Sequence, residues 1–299
     1  MASKSVNLEA NWPQKPLRFM KEHDYLLVFL CFCLLMLTAC AGSHPSEQKT
    51  LDAPLSGMRD SITQVVAGCQ GDTCTYASIK FLRYSGGKGS QADSLNVFID
   101  RQLKAMMAGF GGEESLSPAA SLQDYMLAFL NDYTQIKEEY GASIPWALEL
   151  EVQEVFRNDR ITSLSFLAYS YMGGAHPNTF QQNLCVDLLN LKPLTLSEVV
   201  KDTLSLLPLA EAAFRHAREI PANTPFSDLG FQFPGERFHL NDNFLLSAKG
   251  LVFHFNPYEI APYALGHTDF SIPYSQLQAL MSADYLPGSR PDAQTEHHE

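Results

Sequence analysis

The stretch from Gly250 to Tyr274 constrains the fold more than any other part of the sequence. Apolar residues occupy every second position near each end of this stretch: Leu251, Phe253 and Phe255 near its start, and Phe270 and Ile272 near its end. This alternation predicts two strands that each bury one face. Pro257 ends the first strand, because proline has no N–H to donate to a neighbouring strand. Two prolines and two tyrosines within the seven residues 257–263 then predict a stiff surface loop between the strands.

Two segments upstream carry apolar residues at helical spacing. The first is capped by Asp93 and the second begins at Ser117-Pro118, with proline in the first turn. The apolar stripe of the first helix is Leu95, Phe98, Ile99, Leu103, Met106, Met107 and Phe110. The stripe of the second is Leu122, Tyr125, Met126, Phe129, Leu130, Tyr133, Ile136 and Tyr140. Both stripes predict helices that pack on a core.

The centre of the chain alternates like a β-meander. Its strands are predicted over 144–157, 161–172 and 179–189, with a hairpin turn at Asn158-Asp159, and a separate strand is predicted over 74–84, ahead of the two helices. Thr195 and Glu198 match a capping box and predict a helix that continues past Phe214. We therefore predict an α+β fold, with an antiparallel sheet (a meander), helices packed on one side and a single compact domain.

The N-terminal forty residues resemble a bacterial lipoprotein signal. Tyr25 to Ala39 is an uncharged apolar run that is short for a membrane span and suits a signal peptide over residues 1–39. Leu37-Thr38-Ala39-Cys40 looks like a lipobox, in which Cys40 is acylated and becomes the first residue. An ordinary membrane anchor is the alternative. Ala41 resembles the pattern that sorts lipoproteins to the outer membrane, facing the periplasm. Met20 is an alternative start site.

Composition divides the rest of the chain. Residues 40–61 are polar and predict a lipidated tether. Residues 62–283 predict the folded domain, with halves at 62–190 and 191–283, and residues 284–299 predict a disordered tail.

The cysteines predict one disulfide and one buried thiol, and the net charge indicates which class of partner to expect. Cys69 and Cys74 flank a turn-like spacer and predict a local disulfide in an oxidising compartment, whereas Cys185 lies in an apolar strand pattern and predicts a buried thiol. Residues 1–40 hold four of the 21 Lys and Arg and three of the 33 Asp and Glu, so the remainder carries 17 basic and 30 acidic residues, a net charge of −13. This charge argues against nucleic acid and favours a basic partner or none.

No catalytic signature is present: the sequence lacks a nucleophile elbow, a zinc-protease helix and a phosphate loop. No cofactor, metal site or catalytic residue is assigned. Glu149 and Glu151 share one face of a strand, which is typical of a solvated sheet face; a glycosidase pair is the alternative. Three histidines (His176, His254 and His267) could form an open zinc site, but no paired spacing supports one.

Two loops supply the candidate binding residues. His176 sits in a glycine turn, where it either faces a ligand or bonds its own loop. The candidates are Tyr171, Gly173, Gly174, His176 and Asn178 in the first loop, and Asn256, Tyr258, Glu259, Tyr263 and His267 in or beside the second.

Both loops carry a family resemblance. Tyr169 to Asn178 (YSYMGGAHPN) and Phe253 to Leu277, with its NPYEIAPYA core and IPYSQL end, together resemble the RsiV-like extracytoplasmic domain. That domain occurs in RsiV anti-sigma factors, some peptidoglycan deacetylases and lone lipoproteins. The resemblance implies an α+β domain and, for the RsiV branch, binding of lysozyme, a small basic protein.

The sequence also departs from that family. We expect neither sigma-factor control nor deacetylase activity, because no anti-sigma segment or deacetylase domain is recognised. The turn Asn190-Leu191-Lys192-Pro193 lacks the usual glycine.

The sequence therefore predicts an envelope lipoprotein whose two loops bind a lysozyme-like basic protein or a cell-wall (peptidoglycan) fragment. One alternative is a wall-polymer hydrolase using His176 with Glu259 or Asp269. The other is a structural envelope protein without a ligand.

Overall fold

The computed structural model describes residues 53–71, 73–110, 116, 119–141 and 144–286. The signal peptide, Cys40, most of the tether and residues 287–299 lie outside these residues. The strands are β1 Ser56–Val65, β2 Tyr76–Ser85, β3 Ala147–Arg157, β4 Ile161–Tyr171, β5 Asn178–Asp187, β6 Lys192–Pro193, β7 Phe244–Leu246, β8 Gly250–Phe255 and β9 Thr268–Pro273. The helices are α1 Gln91–Ala108, α2 Leu122–Tyr140, α3 Leu196–Val199, α4 Thr203–Ala217 and α5 Tyr274–Leu277. Across this described part of the chain, no helix combines the length and apolarity needed to cross a bilayer.

The ordered part exceeds the predicted boundaries at both ends. The predicted start of the domain, Ile62, lies inside β1, which begins at Ser56. Residues 284–286 were expected from their composition to belong to a tail, but Tyr285 and Leu286 pack against the core. Ala283–Tyr285 forms a 3-10 turn, and the Tyr285 hydroxyl lies 3.3 Å from Asp187 Oδ2.

Six strands form the large sheet in the order β1-β2-β3-β4-β5-β6. All neighbours are antiparallel except β2 and β3, which run parallel, with Ser78 opposite Glu149. The α+β class and the mostly antiparallel sheet are confirmed, and β2–β3 is the one parallel pair among the described strands. The reason is that α1 and α2 form a crossover between the two strands, and a crossover lets the second strand run in the same direction as the first.

The two helices of the crossover cover one face of the large sheet. Most residues of their apolar stripes are buried as predicted, with Ile99, Leu103 and Met126 fully enclosed, but Ile136 and Tyr140 of the second stripe are 37% and 72% exposed. Helix α1 begins at Gln91, so Asp93 lies in its first turn rather than at its cap. Helix α2 begins after Ser121, whose hydroxyl accepts a hydrogen bond from Asp124 N at 3.2 Å; the predicted start at Ser117-Pro118 lies outside the described residues.

A second sheet has three antiparallel strands in the order β7-β8-β9. Helix α4 packs on it, and Phe214 of that helix, fully buried, lies at the centre of a cluster of phenylalanines: Phe226, Phe231, Phe233, Phe238, Phe255 and Phe270. The segment 220–235 contains two 3-10 turns and supplies Phe226, Phe231 and Phe233 to this core. Gly250 is required in β8, because a Cβ there would lie 2.1 Å from the Ile272 carbonyl oxygen.

The turn without glycine adopts the conformation that glycine favours. Leu191 has a φ of +52° and its N–H donates to the Asp187 carbonyl at 2.8 Å. The geometry of the turn is therefore kept by a leucine, at the cost of about 1 kcal/mol of backbone strain.

Candidate functional site

The first candidate loop joins β4 to β5. Gly173 and Gly174 have φ values of +88° and +106°, which L-residues with a side chain rarely adopt. The Tyr171 hydroxyl donates to the Gly174 carbonyl at 3.3 Å, so it closes the loop on itself. These contacts fold the chain back sharply and bring His176 to the end of the sheet.

The second loop joins β8 to β9. Pro257 follows the buried Asn256, and Tyr258 then has a φ of +69°, in the left-handed region. Tyr258 is nevertheless 61% exposed. Tyr263 lies further along, at the start of the 3-10 turn Tyr263–Leu265.

The two loops meet through their aromatic rings. The rings of His176 and Tyr263 stack with centroids 3.7 Å apart and an angle of 12° between their planes. His176 Nε2 lies 3.1 Å from the Tyr258 hydroxyl, and the Tyr263 hydroxyl donates to the Pro177 carbonyl at 2.9 Å. We call His176, Tyr258 and Tyr263 the aromatic surface. It joins residues more than eighty positions apart in the sequence.

Two of the predicted binding residues have structural partners instead. The Asn256 side chain bonds the backbone of Gln181 in β5, through Oδ1 to the N–H at 2.7 Å and through Nδ2 to the carbonyl at 3.0 Å. Glu259 accepts hydrogen bonds from Asn256 N at 2.8 Å and from the Asn241 amide at 2.6 Å. Asn256 and Glu259 therefore hold the second loop in place.

His267 contacts Asp269 and not the residues of the aromatic surface. Its Nε2 is 3.3 Å from Asp269 Oδ2, and the buried His254 bonds Asp269 Oδ1 through Nδ1 at 2.7 Å. In the ranges that the structure describes, no group of three His, Cys, Asp or Glu residues has metal-binding geometry. The structure therefore does not bring together the three-histidine zinc site considered from sequence.

The alternative of a hydrolase requires His176 to contact Glu259 or Asp269, but the contacts of His176 are with other groups. Its two ring nitrogens lie beside the Pro177 carbonyl, at 2.9 Å from Nδ1, and the Tyr258 hydroxyl. Glu259 and Asp269 are instead bonded to Asn256, Asn241 and the two histidines described above. This arrangement does not favour acid–base chemistry between His176 and either carboxylate.

The cysteines occupy the environments expected from their sequence context. Cys69 and Cys74 form a disulfide, with Cα atoms 5.8 Å apart. Cys185 is buried beside Ser163 and Leu246, and burial raises the pKa of its thiol to about 11. Cys185 therefore belongs to the core.

A second polar surface was not recognised as a site from sequence. It lies on the open face of the large sheet, opposite the face that α1 and α2 cover, and encloses about 160 Å³. We call it the acidic groove; it is lined by Thr63, Tyr76, Ser78, Lys80, Glu149, Glu151, Leu167 and Tyr169. From the sequence, Glu149 and Glu151 were interpreted as part of a solvated sheet face. The tyrosines beside them belong to β2 and β4, and the pairing of these strands with β3 could not be predicted from the sequence.

Two family models match the chain in tandem. A model described as deacetylase PdaC matches residues 70–179, and one described as a protein of unknown function, DUF3298, matches residues 197–275. His176 lies in the first region, and Tyr258 and Tyr263 lie in the second, so the aromatic surface takes one loop from each. The resemblance to the RsiV-like domain family is confirmed by these matches and by the structural neighbours.

Two solved structures share the fold. A DUF3298 family protein from Pseudomonas aeruginosa PAO1 is 22% identical, with a TM-score of 0.61 over 79% of this chain and 99% of that one. A DUF3298 family member from Bacteroides fragilis NCTC 9343 is 21% identical, with a TM-score of 0.60 over 77% of this chain and 93% of that one. No curated protein matches the sequence significantly.

Proposed function

We propose that this chain, which carries a PdaC-like and a DUF3298 region in tandem, is a binding lipoprotein of the bacterial envelope. Cys40 carries the lipid that anchors it to the outer membrane, and the domain faces the periplasm. The aromatic surface is its recognition surface, and a small basic protein of the lysozyme type is its ligand.

The conformation and exposure of Tyr258 carry this proposal. A tyrosine in the left-handed region costs about 1 kcal/mol or more, and this side chain recovers little of that by burial, because 61% of it is exposed. A residue held in an unfavourable conformation while facing solvent is better explained by an external contact than by stability. Tyrosine is also favoured at binding hot spots, because it offers a large rigid ring and a hydroxyl.

The neighbours of Tyr258 support a preformed surface. Tyr263 stacks on His176 and bonds Pro177, so both rings are fixed before any ligand arrives. A surface that is already ordered loses less conformational entropy on binding.

The net charge of the chain favours the basic protein over the wall fragment as the ligand. Beyond residue 40 the chain has a net charge of −13, which attracts a basic protein and speeds its approach. A neutral or acidic wall fragment gains nothing from that charge. We therefore place the wall fragment second, as a ligand that would stack a sugar ring on Tyr258.

The test is direct binding by the lipidated protein in detergent, with lysozyme and purified muropeptides as the two probes. We expect lysozyme to bind and the variants Tyr258→Ala and His176→Ala to weaken binding by about tenfold or more. Tyr140→Ala is the matched control, because Tyr140 is a tyrosine that is 72% exposed at the end of α2.

Failure of a correctly folded protein to bind either probe would remove the proposal. Equal loss of binding in the Tyr140 variant would show that the aromatic surface has no special role.

A further inference from the structure

The acidic groove is built by register across three strands. In the parallel pair, Ser78 of β2 lies opposite Glu149 of β3, and in the antiparallel pair Glu149 lies opposite Tyr169 of β4. Residues opposite one another share a face of the sheet, so the three side chains project together. Tyr76, two residues before Ser78, projects from the same face and donates its hydroxyl to Glu149. Glu149 is therefore placed between a tyrosine from β2 and a tyrosine from β4.

Glu149 forms no ion pair in the described ranges, although Lys80 lines the same groove. Within the described ranges, no Lys, Arg or His nitrogen approaches Glu149 or Glu151 within salt-bridge distance. Its bonded neighbour is the neutral Tyr76 hydroxyl, and the hydrogen bond to Glu149, together with burial, raises the pKa of Tyr76 to about 12. Tyr76 therefore remains a proton donor at neutral pH, and it fixes the carboxylate without neutralising it.

We infer that the acidic groove binds the lysine or arginine side chain of a polypeptide partner, with Glu149 as the counter-charge and Tyr76 and Tyr169 on either side of the cation. Aromatic rings beside a carboxylate attract an ammonium or guanidinium group twice, through the ring faces and through a charge-assisted hydrogen bond. This site does not depend on the aromatic surface, since its residues come from β2, β3 and β4 and not from the two loops.

The other residues of the groove favour a polypeptide over a free amine. Lys80 lies opposite Glu151 in the parallel pair and is exposed, so it is able to donate to a backbone carbonyl of the partner. Thr63 and Ser78, whose hydroxyls lie 3.0 Å apart, add further polar contacts. Leu167 is 37% exposed and offers an apolar contact at the edge of the groove. A single small amine would use only the carboxylate and the rings.

The experiment is a titration of the ¹⁵N-labelled mature chain, followed by amide shifts, with three probes. The probes are the blocked peptide acetyl-Gly-Lys-Gly-amide, its norleucine counterpart and putrescine. We expect the lysine peptide to shift the amides of Tyr76, Glu149 and Tyr169, while the neutral norleucine peptide leaves them unchanged. Glu149→Gln should weaken binding by about tenfold, as expected when one charge-assisted hydrogen bond is lost.

Glu139→Gln is the matched control, because it removes an exposed glutamate from α2, remote in the fold from this face. Glutamine at position 149 can still accept a hydrogen bond from the Tyr76 hydroxyl, so we expect the variant to fold. Amide signals that are unchanged outside the groove will show that it does. Equal shifts with the norleucine peptide, or undiminished binding by the Glu149 variant, would overturn the proposed site. Putrescine binding as tightly as the peptide would overturn the assignment of a polypeptide partner.

Discussion

The side-chain amide of Asn256 bonds both backbone groups of Gln181, at 2.7 Å to its N–H and 3.0 Å to its carbonyl. Asn243 repeats the arrangement, with Oδ1 2.7 Å from Asn183 N and Nδ2 2.8 Å from the Gln181 carbonyl. Both asparagines belong to the small sheet and its loops, whereas Gln181 lies in β5 of the large sheet. The two sheets are therefore joined by amides that replace the hydrogen bonds of a neighbouring strand.

We expect Asn256→Ala to lower the free energy of unfolding by about 2 kcal/mol. The substitution removes two hydrogen bonds and leaves the N–H and a carbonyl lone pair of Gln181 without a protein partner. Urea denaturation monitored by circular dichroism measures the change. Asn178→Ala is the control, because Asn178 is exposed at the start of β5. A change below about 0.5 kcal/mol for Asn256→Ala would contradict this role.

We expect Tyr258→Asn to retain stability or to raise it by up to about 1 kcal/mol. Asparagine adopts the left-handed conformation more readily than tyrosine, and this gain offsets the lost hydrogen bond to His176. The same change should weaken binding to lysozyme. Thermal unfolding and a binding titration of one sample give both quantities. Loss of more than about 1 kcal/mol would mean that Tyr258 stabilises the fold after all.

We expect Asp187→Asn to be strongly destabilising near neutral pH, by about 3 kcal/mol. The Asp187 side chain is fully buried and bonds Arg160 at 2.9 Å, Leu189 N at 2.8 Å and Asn190 N at 3.1 Å. Burial opposes ionisation of Asp187, but these hydrogen bonds and the Arg160 charge outweigh it and lower the pKa of the carboxyl.

The sign of the pH dependence follows from that lowered pKa. The stabilisation is present above the unfolded pKa of about 3.9 and is lost as the pH falls through the lower folded value. The difference between wild type and Asp187→Asn should therefore shrink when urea unfolding is repeated at about pH 3. Asp100→Asn, which breaks the more exposed ion pair with Arg83, should cost under about 1 kcal/mol at neutral pH.

We expect Cys185 to resist alkylation in the folded protein. Its thiol is buried and its pKa is raised to about 11, so the thiolate that reacts with iodoacetamide is scarce and inaccessible. Mapping of the Cys185 peptide after treatment at about pH 8, with and without urea, measures the difference. Fast labelling without urea would show that this part of the core opens.

Local patterns in the sequence predicted most of the elements. The stripes of α1 and α2 and the hairpin at Asn158-Asp159 depend on neighbouring residues, and the structure confirms them. Strand β1 was missed because its sequence, SGMRDSITQV, is mostly polar and exposed. The parallel pairing of β2 with β3 depends on a crossover of about sixty residues, which no local pattern records.

The candidate sites show the same limit. His176 and Tyr258 were each identified from their loops, but their contact joins two distant segments and became visible only in the fold. Asn256 and Glu259 were assigned to binding because a polar residue in a loop looks the same whether it faces a ligand or a backbone group. The acidic groove was missed because its tyrosines come from strands on either side of Glu149.

The amide pairing at β5 also bears on how this protein avoids aggregation. An unpaired strand edge recruits strands from other molecules, and natural sheets protect such edges. Asn243 and Asn256 occupy the N–H groups of Gln181 and Asn183 and the carbonyl of Gln181 in β5, so a foreign strand finds no partner at these groups. Among the strands that the structure describes, β1 is the opposite edge of that sheet, and it carries Arg59 and Asp60. We therefore expect the protein to resist aggregation at high concentration, because side-chain amides protect one edge of the sheet and charged side chains protect the other.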